Sequence, residues 1–141
     1  MTNAFLHLNW LAVAVTALIG FLLGWLWYSP VLFAKPWMTE MKITPERMKE
    51  MAQQGMARYL IQGFVYTFVS TLALALIVKT HVPSIWLKGG LLGAFIGALL
   101  VGVRMLNTGL WEQRSVKLCA INVGHEVVLF ALQGAILAAW V

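Results

Sequence analysis

The 141-residue chain is too apolar for a soluble domain of its length, since 61% of its residues are hydrophobic and 11% are charged. Its mean hydropathy is +0.82. Ten Lys and Arg outweigh five acidic residues, giving a formal net charge of +5, and in a membrane protein this excess indicates orientation rather than nucleic-acid binding. A single cysteine, Cys119, excludes an intrachain disulfide and a Cys-based metal site within one chain.

The first predicted membrane span covers residues 8–28, with aromatic residues at both ends as expected at membrane–water interfaces. A strip of small residues on one face ends in Gly20 and Gly24, which favours close approach of another helix. The alternative, that Gly and Ala are simply common in membrane helices, stays open. Ser29-Pro30 ends or kinks the helix, because proline lacks a backbone N–H group.

The one sizeable polar region follows, and it predicts a short amphipathic helix over residues 44–56 on the membrane surface or over the bundle mouth. Thr44 suits the N-cap and Pro45 the first helical position, while Glu46 suits the positive end of the helix dipole. Five of the seven methionines lie in or near this segment, namely Met38, Met41, Met48, Met51 and Met56. They favour a pliable partner surface over a copper(I) site, because no His or Cys accompanies them.

The second predicted span covers residues 59–78 and carries Gln62 and Tyr66 on a mildly polar stripe at helical spacing. We expect this stripe to contact the polar side of the last helix. The hydroxyl groups of Ser70 and Thr71 are expected instead to bond back to carbonyls of their own helix.

The third predicted span covers residues 85–106 and repeats a small-xxx-small pattern through Gly89, Gly93 and Gly97. This pattern predicts a tight helix–helix seam. Arg104 lies seven residues after Gly97 and is therefore expected on roughly the same side, where it either snorkels to the head groups or turns inward.

The fourth predicted span, residues 118–140, carries Asn122, Glu126 and Gln133 along one side of the helix. Glu126 lies about 12 Å into a span that crosses about 30 Å of hydrocarbon, so we expect a protonated carboxyl that faces protein. Either it hydrogen-bonds to Asn122, Gln62 or a hydroxyl group and holds the bundle together, or it serves a proton relay.

Two contacts of Glu126 are not expected. His125 is its neighbour in sequence, and because consecutive residues point about 100° apart around a helix, the two should not form a dyad. Antiparallel pairing around a hairpin centred near Trp111 places Arg104 opposite residues 118–120, which leaves Glu126 too deep for this ion pair.

Together the spans predict an all-α integral membrane protein, a four-helix bundle in a single domain. Eight cations fall in or beside the first and third connections: Lys35, Lys42, Arg47, Lys49, Arg58, Arg104, Arg114 and Lys117. The opposite side has two, Lys79 and Lys88. The positive-inside rule therefore predicts a multi-pass protein of the inner membrane with both termini periplasmic and the amphipathic helix cytoplasmic.

One block resembles a known family. The run Trp27-Tyr28-Ser29-Pro30, continuing through Lys35 and Trp37, is similar to a bacterial membrane family catalogued as domain of unknown function 1761. The resemblance extends over nearly the whole chain and implies a small four-helix membrane protein, without an established activity or cofactor. In that family an aromatic–His pair is expected after a glycine of the last helix, where this chain has Gly124-His125-Glu126.

Two function classes stay open. The chain has no phosphate-binding loop, nucleophile elbow or zinc-protease motif, so we expect neither an enzyme nor a cofactor. A metal or haem site at His7 and His81 is disfavoured, because nothing supplies further ligands. We favour a proton-coupled transporter-like or channel-like oligomer that uses Glu126, with a small molecule or ion of unknown identity as substrate. The alternative is a non-transporting partner or assembly protein. Two separate glycine strips also favour a homodimer.

Overall fold

A computed structural model of the protein describes residues 5–53 and 55–140. The principal helices are α1 (Trp10–Trp27), α2 (Ala34–Glu40), α3 (Pro45–Gln53), α4 (Met56–His81), α5 (Trp86–Trp111) and α6 (Val116–Trp140). Within the described residues there is no strand. Four of these helices, α1, α4, α5 and α6, are long and apolar enough to cross a membrane. The all-α class and the four apolar spans predicted from the sequence are confirmed.

Helix α6 lies at the centre of the bundle and packs against α1, α4 and α5, whereas α5 packs mainly on α6. The core contains fully buried Val13, Leu74, Val78 and Leu137 from α1, α4 and α6. The outward sides of the long helices carry many exposed large apolar residues, as expected where lipid is the solvent.

The third span differs from the sequence-based prediction. Helix α5 continues to Trp111, so the turn before α6 is shorter than predicted and covers residues 112–115. Its segment Ile96–Gly102 is a π-helix, whose i→i+5 hydrogen bonds turn the following residues away from the side that α-helical counting gives. Arg104 is consequently exposed, while Gly97 is buried. Arg104 thus lies off the buried line of Gly97, at the edge of the contact with α6.

The α5–α6 contact is a seam of glycines against backbone. A Cβ atom on Gly89 would overlap the carbonyl oxygen of Gly134, and one on Gly93 would overlap that of Phe130. A Cβ on Gly97 would lie 2.7 Å from the carbonyl oxygen of Glu126. Only glycine permits this separation between two helix backbones.

Helices α2 and α3 form the connection between α1 and α4. The Thr44 side chain caps α3 by accepting a 3.3 Å hydrogen bond from the Arg47 N–H, and Pro45 is the first helical residue. Hydrogen bonds to its own backbone and to Thr44 hold the pKa of the exposed Glu46 carboxyl below its usual value. Helix α3 has no buried residue within its described range.

Both glycine strips are used inside this chain. Gly20 and Gly24 of α1 lie against α6, as do Gly89, Gly93 and Gly97 of α5. The inference of a homodimer assumed that one strip stays unoccupied, so it loses its structural motivation. Association with a second copy stays a prediction.

Candidate functional site

The polar centre of the site is a pair of consecutive residues on α6. His125 Nδ1 lies 3.1 Å from Glu126 Oε1, with the two side chains 11% and 22% exposed. The expectation that they cannot meet is wrong. Their Cβ atoms diverge around the helix, but their Cα atoms are only about 3.8 Å apart, and a carboxylate on two methylenes can reach the imidazole beside it. Glu126 is thus paired with His125, and not with Asn122 or Gln62 as the sequence suggested.

An aromatic wall from the end of α1 covers this pair. The rings of Trp27 and Tyr28 lie 5.9 Å and 5.3 Å from the His125 ring. Trp37 of α2 in turn packs on Tyr28 with 5.4 Å between ring centroids. A Cβ on Gly124 would lie 3.3 Å from the Trp27 ring, so the absence of a side chain at Gly124 lets the indole reach α6.

Hydrogen bonds fix the aromatic wall to α6. Trp27 Nε1 donates to the carbonyl oxygen of Ile121 at 3.1 Å, and Tyr28 Oη donates to Asn122 Oδ1 at 3.1 Å. Each bond joins residues 94 positions apart in sequence. The aromatic block and the Gly124-His125-Glu126 sequence, which carry the family resemblance separately, therefore meet at a single place.

The rest of the aromatic block builds the turn into α2. The Ser29 hydroxyl donates to the Leu26 carbonyl oxygen at 2.7 Å, and Pro30 follows where α1 has ended. Lys35 is exposed and lies outside the site. Helix α2 is tied to the start of α6 through Glu40, which accepts a 2.5 Å hydrogen bond from Ser115 and lies 3.6 Å from Lys117 Nζ. Neither of these two long-range contacts has a periodic signal in the sequence.

A groove between α1 and α4 is lined in part by the His125 ring. It has a volume of about 170 Å³, and its lining includes Gly20, Gly24, Gly63, Thr67 and His125. His125 Nε2 is buried and makes no hydrogen bond to any described residue. A Cβ on Gly24 would lie 3.3 Å from this nitrogen, so the absence of a side chain at Gly24 makes room for the ring.

A second buried polar contact lies two turns further along α6. Gln133 Nε2 donates to Thr71 Oγ1 of α4 at 2.7 Å, and Gln133 is fully buried. Thr71 also donates to the Thr67 carbonyl oxygen, and Ser70 donates there too, as the back-bonding expectation stated. Two further buried atoms, Gln133 Oε1 and Thr16 Oγ1, have no hydrogen-bond partner among the described residues.

The polar stripe predicted on the second span faces the wrong way. Gln62 and Tyr66 are exposed, and Tyr66 is 69% accessible. Helix α4 turns Thr71, Leu74 and Ala75 toward the bundle instead. The rotation of α4 about its axis is set by burial of its larger apolar surface. The two polar residues on the opposite side are too few to turn the helix the other way. Thr71 was not predicted from the sequence as the partner of Gln133. It could have been sought there, because a buried glutamine requires a hydrogen-bonding group on another helix.

Arg104 does not pair with Glu126. The shorter turn shifts the antiparallel register, so that Gly102 lies against Val123 and Arg104 lines a cavity together with Asn122. Cys119, which belongs to the predicted facing range 118–120, lines the same cavity, so the register differs from the prediction by only a few residues.

Metal binding has no support in the described part of the chain, which contains no group of three or more His, Cys, Asp or Glu residues that could hold a metal ion. His81 lies at the exposed end of α4, with Nδ1 2.5 Å from Thr80 Oγ1. His125 and Glu126 are both side chains that can bind and release a proton.

Comparison with known proteins gives a family without an activity. The family model described as "Protein of unknown function (DUF1761)" matches residues 11–138. No curated protein and no solved structure is similar enough to count as a match.

Proposed function

Because the chain belongs to the DUF1761 family of proteins of unknown function, we propose its function from the site itself: it moves protons as a small proton-coupled transporter-like or channel-like protein. The observation that carries this proposal is the position of the His125 ring. One nitrogen meets Glu126 and the other is buried beside Gly24, which lines the groove between α1 and α4 together with His125. An imidazole can accept a proton on one nitrogen and release one from the other, so His125 connects the groove to the carboxyl group.

Buried polar atoms extend this route along the contact between α1 and α6. Gly24 faces His125 and Gly20 faces Gln133, while Thr16 follows one turn beyond Gly20. An unpaired buried polar atom costs about 1–3 kcal/mol. His125 Nε2, Gln133 Oε1 and Thr16 Oγ1 therefore favour water or another small hydrogen-bonding species that enters between the helices.

Proton flux into proteoliposomes tests the proposal. With an imposed membrane potential and an internal pH dye, the unaltered protein should admit protons, whereas His125→Gln and Glu126→Gln should each remove most of this flux. His81→Gln is the matched control, because it removes an exposed histidine outside the site and should leave the flux unchanged. Infrared difference spectra against Glu126→Gln should show a carboxyl band that changes during proton uptake. Equal flux in all variants would refute the relay.

Two replacements of Glu126 should differ in their effect on the stability of the fold. Glu126→Gln retains an oxygen that can accept a hydrogen bond from His125, so we expect unchanged folding. Glu126→Leu leaves His125 Nδ1 without its partner and should lower the free energy of unfolding by about 1–3 kcal/mol. Thermal unfolding of both variants in detergent measures the difference.

We further propose that α2, α3 and the turn between α5 and α6 lie on the cytoplasmic side of an inner membrane, with both termini periplasmic. The eight-to-two distribution of Lys and Arg supports this orientation. A C-terminal alkaline phosphatase fusion should be active and a C-terminal fluorescent-protein fusion dark. The opposite pattern would reverse the orientation.

A second candidate function has one observation in its favour. Helix α3 is amphipathic but buries none of its described residues, and Met48 on it is 40% exposed. A surface of flexible thioether side chains suits a protein partner, so the chain would act as a membrane assembly protein. Removal of the α3 methionines by Met48→Gln and Met51→Gln should then abolish binding of the partner, and the unaltered protein should show no proton flux in proteoliposomes.

A further inference from the structure

A cavity of about 220 Å³ opens between the second half of α5 and the first turns of α6, away from the groove that is lined in part by His125. Its lining consists of Arg104, Met105, Thr108, Arg114, Cys119 and Asn122. We propose that this cavity binds a phosphate group, carried by an anionic phospholipid or free in solution. The inference does not depend on the proton relay.

The charge in the cavity is positive and incompletely neutralised. Arg104 makes no ion pair with any described residue, and Arg114 is paired through Nε with Glu112 at 2.5 Å. No acidic residue is among those that line the cavity. A guanidinium group offers five N–H donors in a planar fork that matches phosphate oxygens. Arg104 thus keeps its whole donor set for a ligand, and Arg114 keeps the donors that Glu112 does not use.

A neutral side chain that can donate hydrogen bonds also lines the cavity. Asn122 Oδ1 accepts the hydrogen bond from Tyr28, which leaves the amide NH₂ of Asn122 without a hydrogen bond to any described residue. Thr108 donates to the Arg104 carbonyl oxygen at 3.1 Å and so supports the helix turn that presents Arg104. Two arginines and an asparagine therefore line one small cavity.

The surroundings match a lipid head group with its acyl chains attached. Met105 and Cys119 give the cavity an apolar side, and at the end of α5 Leu110 and Trp111 are 73% and 79% exposed. Exposed tryptophan beside arginine is the pattern of a membrane–water interface. A phosphate placed between Arg104 and Arg114 would then lie at head-group depth, with hydrocarbon along the exposed side of α5.

Native mass spectrometry of the full chain in detergent tests the proposal, with phosphatidylglycerol, phosphatidylcholine and inorganic phosphate as separate probes. We expect phosphatidylglycerol to bind more tightly than phosphatidylcholine, and Arg104→Gln to weaken that binding about tenfold or more. Arg104→Lys should weaken it less, because the charge is kept and the fork is lost. The matched control is Arg58→Gln, which removes an exposed cation at the start of α4 outside the cavity.

The sole cysteine reports the location of the ligand, because Cys119 lines the cavity. Bound phosphatidylglycerol should slow the labelling of Cys119 by a small methanethiosulfonate in the unaltered protein and in Arg58→Gln, but not in Arg104→Gln. Displacement of the lipid by millimolar inorganic phosphate would assign the site to free phosphate, whereas no displacement would assign it to the lipid. Equal binding of phosphatidylglycerol and phosphatidylcholine would overturn the proposal. So would an equal affinity of Arg104→Gln and Arg58→Gln for phosphatidylglycerol, if inorganic phosphate does not bind either. Arg104 is exposed, so its replacement should leave folding intact.

Discussion

The two glycine strips of this protein face the same helix but meet different parts of it. Gly89, Gly93 and Gly97 of α5 lie against backbone carbonyl groups of α6, and no side chain could fit between the helices there. Gly20 and Gly24 of α1 lie instead against the side chains of Gln133 and His125. The first strip joins two helices, whereas the second makes room for polar groups.

This difference shows that a small-xxx-small pattern does not by itself specify a function. On α5 the missing side chains allow close backbone packing, which supplies van der Waals contact in a membrane that offers no hydrophobic driving force between helices. On α1 they allow an imidazole and an amide to occupy the interior of the bundle. Substitutions in the two strips should therefore have different consequences.

The largest effect should come from Gly93→Ala in the α5–α6 seam. The new Cβ would overlap the carbonyl oxygen of Phe130, and two backbones cannot yield as a flexible side chain can. The helices must separate, at a cost of about 1–3 kcal/mol or more. Thermal unfolding in detergent should show a clearly lowered midpoint.

Gly90→Ala is the control for this prediction, since its Cβ would meet the Ala135 Cβ at 3.4 Å, an ordinary contact. Its unfolding midpoint should be unchanged or slightly raised, because alanine favours the helix. Equal midpoints for Gly93→Ala and Gly90→Ala would show that the seam is looser than described.

A smaller effect is expected on the polar side of the bundle from Thr71→Val. This change keeps the shape of the side chain but removes the oxygen that accepts the Gln133 hydrogen bond, leaving a buried amide N–H unpaired at a cost of about 1–3 kcal/mol. Combining it with Gln133→Leu should cost less than the sum of the two single changes. Strict additivity in unfolding experiments would argue against the contact.

The smallest effect on stability, and a specific one on function, is expected from Gly24→Ala. Its Cβ would lie 3.3 Å from His125 Nε2, and the imidazole can shift slightly to relieve this close contact. The free energy of unfolding should therefore change by less than about 0.5 kcal/mol. The methyl group would nevertheless obstruct the approach to the nitrogen, so proton flux should fall. Gly63→Ala is the matched control in the same groove, with a Cβ 3.6 Å from the Phe21 ring. Equal proton flux in Gly24→Ala and Gly63→Ala would show that protons do not reach His125 through the groove.

Many individual residues of the site could be predicted from the sequence, but their contacts with one another could not. The cost of polar groups in hydrocarbon identified Asn122, Glu126 and Gln133 as residues that face protein. It could not supply the partners of Asn122 and Gln133, because the places of Tyr28 and Thr71 depend on how their helices are rotated against α6. His125, the partner of Glu126, is its neighbour on the same helix and was set aside because consecutive residues point about 100° apart. The expected contact of Glu126 with Gln62 failed because α4 turns Gln62 outward.

What the sequence by itself determined is the number of apolar helices, their order and, for α1, α5 and α6 but not for α4, the side that packs in the bundle. A long apolar run is a property of each span alone, and small or polar residues at helical spacing mark a packed side. The tertiary structure decided three things that depend on the relation between helices. The π-helical segment and the short turn set the register of α5 on α6, so that Arg104 lines the same cavity as Asn122. Packing around α6 turned Thr71 inward and Gln62 outward. The turn after α1 brought Trp27 and Tyr28 across 94 residues of sequence onto α6, since hydrogen bonds between distant segments leave no periodic trace in either segment alone.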